Sequence, residues 1–161
     1  MDILHASSIE VNGKALINEA APKSGKSALA LEMIALGAKL IADDRTEFFK
    51  KDGVVYARSP ENLPIGIEAR GIGILRLPTC SFAPVLFFIE ICDEFSRTQS
   101  SQPQEKMILG KAFEFYQLSV MSSTASTLYL LMQHGKIDSN MSIDGLPKTS
   151  RRHYGDKRKK K

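Results

Sequence analysis

Apolar and polar positions alternate by two over His5 to Val11 and more weakly over Phe113 to Val120, other stretches read as short apolar strands, and apolar residues take a helical spacing near the end of the chain. Ile9 and Val11 share one side of an alternation running from His5 to Val11. Asn12-Gly13 then separates it from Ala15-Leu16-Ile17, a strong signal for a tight hairpin. A turn is expected over Asn18 to Gly25. Lys26 to Leu36, rich in Ala, Leu and Met and closed by Gly37, predicts a helix. Lys39 to Ala42 reads as a short strand buried on both faces, ending abruptly in Asp43-Asp44-Arg45.

Downstream, Phe48-Phe49 and Val54-Val55-Tyr56 flank Lys50-Lys51-Asp52-Gly53, a second hairpin signal. Pro60 and Pro64 make Ser59 to Pro64 a loop. Gly66, Gly71 and Gly73 among β-branched residues predict a bend and then a strand from Ile72 to Leu77. Val85 to Ile91 is the most apolar strand, Asp93 to Glu105 a polar loop, and Phe113 to Val120 another strand. Ser122 to His134 offers hydroxyl residues to cap a helix, Leu128, Leu131 and Met132 at helical spacing, and Gly135 as its stop. These elements make an α/β fold with more strand than helix.

With 161 residues, 43% hydrophobic and 25% charged, the chain has the size and composition of one globular domain. The formal charge of +4 conceals an asymmetry: Lys148 to Lys161 holds eight Lys or Arg against Asp156 alone. The preceding 147 residues carry 14 basic and 17 acidic groups. The expected organisation is therefore a folded domain over 1–147 and a basic, solvated, disordered tail over 148–161. Without a basic folded face, a nucleic-acid partner is not expected. Met1 to His5 lacks the basic and apolar regions of an export signal, and no apolar run reaches the roughly 18 residues that cross a bilayer. A cytoplasmic protein with no membrane partner is the expectation, with Cys80 and Cys92 as reduced, buried thiols.

Candidate chemistry begins at Ser24-Gly25-Lys26-Ser27, where a strand hands over to a helix. Backbone N–H groups at such a helix start can hold phosphate oxygens, the Lys26 ammonium can reach the outer phosphates, and the Ser27 hydroxyl can ligate Mg²⁺. A full phosphate loop would carry glycine where this chain has Ala20. Asp43 and Asp44 stand at a strand's carboxyl end. Neighbours along a strand point to opposite faces, so only one of them is expected to face a phosphate unless the chain bends. Glu68, in an apolar glycine-rich stretch, needs solvent, a cation or hydrogen bonds; Arg70 could be its ion-pair partner.

The ordered set His5-Ala6-Ser7, Ser24-Gly25-Lys26-Ser27, Leu40-Ile41-Ala42-Asp43-Asp44-Arg45 and Ile67-Glu68-Ala69-Arg70-Gly71-Ile72-Gly73-Ile74 resembles the C-terminal kinase domain of the HPr kinase/phosphorylase family, with Leu77-Pro78 and Ala83-Pro84-Val85 also in place. The resemblance covers His5 to Ile91. It implies a phosphoenolpyruvate-carboxykinase-like P-loop kinase core and an ATP-dependent protein-serine kinase. The implied substrate is HPr, the phosphocarrier of the sugar phosphotransferase system, and the implied assembly is a hexamer. Position by position, it places Lys23, Ser24, Gly25, Lys26, Ser27 and Ala28 in the nucleotide loop and Ser27 and Glu68 on Mg²⁺. Asp43, Asp44, His5 and Lys26 become the catalytic set, with the aspartate pair supplying the base; the strand geometry favours Asp43 as base and Asp44 as its support, and the sequence leaves the choice between them open. Phosphoryl transfer needs those group types: cations on the phosphates, metal ligands and one proton acceptor.

The chain also departs from the family pattern G-x-S-G-x-G-K-S: Ala20, Pro22 and Lys23 replace the first glycine, the serine and the second glycine. Pro22 removes one N–H donor, and Lys23 adds a cation. Leu118 to Ala125 holds no counterpart of the arginine- and proline-containing segment associated with the phosphorylase direction, so the reverse reaction is not expected. Two alternatives stand beside the kinase: a catalytically weakened regulator that binds a nucleotide or partner, and a polyanion binder acting through the basic tail.

Overall fold

The computed structural model describes residues 1–19, 25–61, 66–92 and 104–137. The chain runs β1 (Asp2–Leu4), β2 (Ser7–Val11), β3 (Lys14–Asn18), α1 (Lys26–Ala35), β4 (Lys39–Ala42), β5 (Thr46–Lys51) and β6 (Val54–Arg58). It continues through β7 (Ile67–Ala69), β8 (Gly73–Leu75), β9 (Phe82–Cys92), β10 (Gln104–Ile108), β11 (Lys111–Ser119) and α2 (Thr124–His134). Among the described residues nine strands form one sheet along β1-β5-β6-β9-β3-β2-β4, with β11 and then β10 branching from β9, while β7 and β8 form a separate hairpin.

β9 joins the two halves of the sheet. Its start pairs antiparallel with β6, and its later residues pair in parallel with β3 and β11. Ala15 stands opposite Val85 but Leu16 opposite Phe87, so Leu86 is an extra residue in β9. Such a bulge inverts the alternation of side chains. Phe87, Ile89 and Ile91 consequently join Leu16 in the core beneath the helices, whereas Val85 and Phe88 pack on the other side with Ile17, Phe48 and Phe113. Phe88 lies 5.8 Å from Phe48 and 5.7 Å from Phe113, ring centre to centre.

α1 turns Leu29, Ala30, Met33 and Ile34 onto the sheet, at the spacing of one helical face. It stops as its sequence indicates: Gly37 adopts φ 125°, and Ala38 N–H donates to Met33 C=O at 3.1 Å across the end. α2 packs Leu128 and Met132 beside it. Both hairpins marked by Asn12-Gly13 and Asp52-Gly53 form, with positive φ at all four residues as a tight two-residue turn requires.

Four expectations change. Asp2–Leu4 is a strand, held by pairing with β5 rather than by any pattern of its own. Gln104 and Glu105 belong to β10 instead of a loop, because β10 pairs with β11 across a Leu109-Gly110 turn; residues 93–103 of the expected loop lie outside the described residues. No hydroxyl at Ser123 caps α2; Thr124 Oγ1 instead accepts the Met121 N–H at 2.8 Å. Cys80 and Cys92 are partly exposed rather than buried, both as free thiols. The expected basic tail, 148–161, also falls outside the described residues. Among the described residues no helix is long and apolar enough to cross a membrane.

Candidate functional site

Gly25 precedes α1 at φ 92°, a left-handed conformation that a side chain strains. That conformation turns the chain into the helix with the N–H groups of its first turn, from Lys26, Ser27 and Ala28, free of intrahelical acceptors. The same groups sit at the positive end of the helix dipole, where an anion is favoured. Lys26 is 6% exposed, yet its ammonium reaches Asp44 Oδ1 at 3.4 Å.

The two aspartates follow a second irregularity. Ser8 pairs with Ala42 but Ile9 with Leu40, so Ile41 is an extra residue in β4. Immediately afterwards Arg45 N–H donates to Asp43 C=O at 2.8 Å, closing a three-residue turn around Asp44 at φ 70°. The exception allowed for a bend applies here: the chain bends, and Asp43 and Asp44 line the same cleft. Asp43 Oδ1 accepts hydrogen bonds from Ser7 Oγ at 2.9 Å and Ser27 Oγ at 3.3 Å. Asp44 Oδ1 lies 3.1 Å from His5 Nδ1 as well as beside Lys26.

The cleft is open, with a volume of about 800 Å³. Gly25 and the first turn of α1, Lys26 to Ala28, form one wall and the Asp43-Asp44 turn another, with Glu68 to Arg70 of the β7–β8 hairpin completing it. Its polar side chains are the Ser27 hydroxyl, the carboxylates of Asp43, Asp44 and Glu68, the buried Lys26 ammonium and the Arg70 guanidinium. Oxygen donors of this kind suit Mg²⁺, which is typically held by one or two carboxylates together with substrate phosphates. Among the described residues no group of three or more His, Cys, Asp or Glu is placed to hold a metal ion by itself.

Of the residues singled out from sequence, Gly25, Lys26, Ser27, Ala28, Asp43, Asp44 and Glu68 meet in this cleft, and His5 contacts it through Asp44. Lys23 and Ser24 lie outside the described residues, as do Ala20 and Pro22. Arg70 lines the cleft with Glu68, one residue apart on the same hairpin. Sequence reasoning gave no role to Ser7. The available signal was two consecutive serines inside a strand, both of which prove buried.

Residues 1–81 match the family described as HPr Serine kinase C-terminal domain. An HPr kinase/phosphorylase of Lactobacillus acidophilus is 38% identical over 73 residues, 45% of this chain and 23% of that protein. Another, from Azoarcus sp. (strain BH72), is 42% identical over 77 residues, 47% of this chain and 25% of that protein. The chain thus spans about a quarter of the length of the curated relatives it matches. The solved structure of the HPr(Ser) kinase/phosphatase from Coxiella burnetii superposes with a TM-score of 0.74 at 17% identity, covering 83% of this chain and 89% of that one. The shared fold is the phosphoenolpyruvate-carboxykinase-like P-loop kinase fold, strand-rich with two helices among the described residues.

Proposed function

The chain belongs to the HPr serine kinase C-terminal domain family, and from that membership we propose that it transfers the γ-phosphoryl group of ATP to a serine hydroxyl of an HPr-type phosphocarrier, regulating the sugar phosphotransferase system. The observation that carries this reading is the convergence of Lys26, Ser27, Asp43, Asp44 and Glu68 on one cleft at the start of α1.

The Lys26 ammonium and the first N–H groups of α1 hold the phosphate oxygens and orient the γ-phosphorus toward the acceptor serine. Ser27 and Glu68 are the residues that would hold Mg²⁺, which when bound would draw charge from the phosphate oxygens as a Lewis acid. Asp44 Oδ1 is shared by the Lys26 ammonium and the His5 imidazole, whereas Asp43 receives neutral hydroxyls. Asp43 is therefore the carboxylate open to a proton. The serine oxygen bonds to the γ-phosphorus, its proton passes to Asp43, and the bond to the β–γ bridging oxygen breaks to release ADP. The proposal covers the kinase direction only. By the same resemblance the protein assembles as a homo-oligomer, a hexamer.

The replacement of two glycines and a serine by Ala20, Lys23 and Pro22 favours a second reading, a regulator that keeps partner binding while its nucleotide loop has weakened. Incubation with Mg-ATP and HPr separates the two. Phosphoserine on HPr by mass spectrometry supports the kinase. Its absence, under conditions where a full-length relative works and with HPr still bound in calorimetry, supports the regulator.

A further inference from the structure

Beneath the aspartate turn lies a ladder of buried hydroxyls. Thr46 Oγ1 donates its proton to Ala6 C=O at 2.9 Å, so Ser8 Oγ donates to Thr46 Oγ1 in their 3.0 Å contact. Ser7, next along β2 and 2% exposed, turns its hydroxyl the other way, toward the carboxylates. Its Oγ donates to Asp43 Oδ1 at 2.9 Å and accepts the Asp44 backbone N–H at 3.4 Å. One hydroxyl thereby fixes a side chain of the pair and the backbone of its neighbour.

We propose that Ser7 is a positioning residue for both aspartates, a role that rests on the kinase reading above. Asp44 occupies a left-handed conformation in a three-residue turn, which non-glycine residues hold only when their surroundings impose it. Ser7 supplies that constraint from a neighbouring strand whose own position is set by pairing with both β3 and β4. Ser7 and Ser27 also converge on the same oxygen of Asp43. Neither engages Oδ2, which is left as the oxygen to receive the serine proton. Ser7 is not among the residues that line the cleft; it acts through the geometry of Asp43 and Asp44.

The test pairs Ser7→Ala with Ser8→Ala, an equally buried serine on the same strand that binds Thr46 instead of the carboxylates. With Mg-ATP and HPr, Ser7→Ala is expected to lower kcat about 10- to 100-fold while the KM for ATP stays within about threefold, as displaced catalytic groups do. Ser8→Ala lowers the melting temperature but keeps kcat within about twofold. In Ser7→Ala the Asp44 amide exchanges with solvent about tenfold faster, whereas the Leu16 and Leu40 amides do not change. Unchanged kcat in Ser7→Ala overturns the proposal. So do equal losses of kcat in both variants, which mark a structural role. If the unaltered chain makes no phosphoserine, the kinase reading fails by itself. The positioning of the turn is then decided by the Asp44 amide: faster exchange supports it and unchanged exchange overturns it. Should Ser7→Ala not fold, Ser7→Cys, similar in size and a weak donor, is read by the same criteria.

Discussion

Replacing Lys26 by Met separates phosphate binding from folding. The Lys26 side chain is buried and lines a small cavity together with Ser7, Leu29 and Met33, and Met preserves most of its apolar stem. The ammonium faces Asp44 at 3.4 Å, but Asp44 is 62% exposed and keeps His5 at 3.1 Å when the lysine is gone. An ion pair with one partner so open to water contributes roughly 0–1 kcal/mol. Removing the buried ammonium also removes its desolvation cost, which acts in the opposite direction. The unfolding free energy of Lys26→Met is therefore expected to stay within about 1 kcal/mol of the original. Binding of ATP should respond far more, because a charge-assisted hydrogen bond to phosphate is worth about 1.5–3 kcal/mol. That corresponds to roughly 10- to 150-fold in affinity. Urea denaturation and calorimetric titration with Mg-ATP measure the two effects on one preparation. An unchanged ATP affinity would refute the assignment of Lys26 to phosphate. A stability loss of several kcal/mol would show instead that the lysine belongs to the core.

Other changes test the scaffold around the cleft. Met33, fully buried between α1 and the sheet, should cost about 2–5 kcal/mol as Met33→Ala in urea denaturation; a change near zero would mean that α1 is not packed as described. Gly37→Ala places a methyl 2.7 Å from Tyr129 Oη at φ 125° and should cost about 1–3 kcal/mol. Adding Tyr129→Phe should recover only part of that, since the backbone strain remains; full recovery would contradict it. Burial, and then the hydrogen bond to Glu114, raises the Tyr116 pKa above its ordinary 10.0, and the hydrogen bond to Tyr116 raises that of Lys136 above 10.5. The native protein keeps these protons at pH values where the unfolded chain has lost them. Stability therefore falls as pH rises above about 10. Tyr116→Phe should flatten that fall, and a decline as steep as the original would count against the shift.

What the sequence disclosed follows from where its signals were local. Asn12-Gly13 and Asp52-Gly53 carry their turn geometry in two residues, and Gly37 carries the stop of α1. β1 and β10 are edge strands created by pairing with β5 and β11, so their own short or polar sequences do not announce them. The residue types of the cleft were legible at Lys26, Ser27 and Glu68. Their arrangement around Asp43 and Asp44 was not. It depends on the extra Ile41 and the left-handed Asp44, which no two-residue alternation encodes. Ser7 escaped notice for a related reason: a serine gains meaning only from the carboxylate that a distant strand brings to it.

A crystal structure of this chain with Mg²⁺ and a non-hydrolysable ATP analogue addresses the proposed phosphate site most directly. The β- and γ-phosphates should lie against the N–H groups of Lys26, Ser27 and Ala28 with the Lys26 ammonium on their oxygens. The metal should sit between Ser27 and Glu68, and Asp43 should face the γ-phosphorus. A nucleotide bound elsewhere, or phosphates held without Lys26 and turned away from both aspartates, would contradict the assignment of this cleft to phosphoryl transfer.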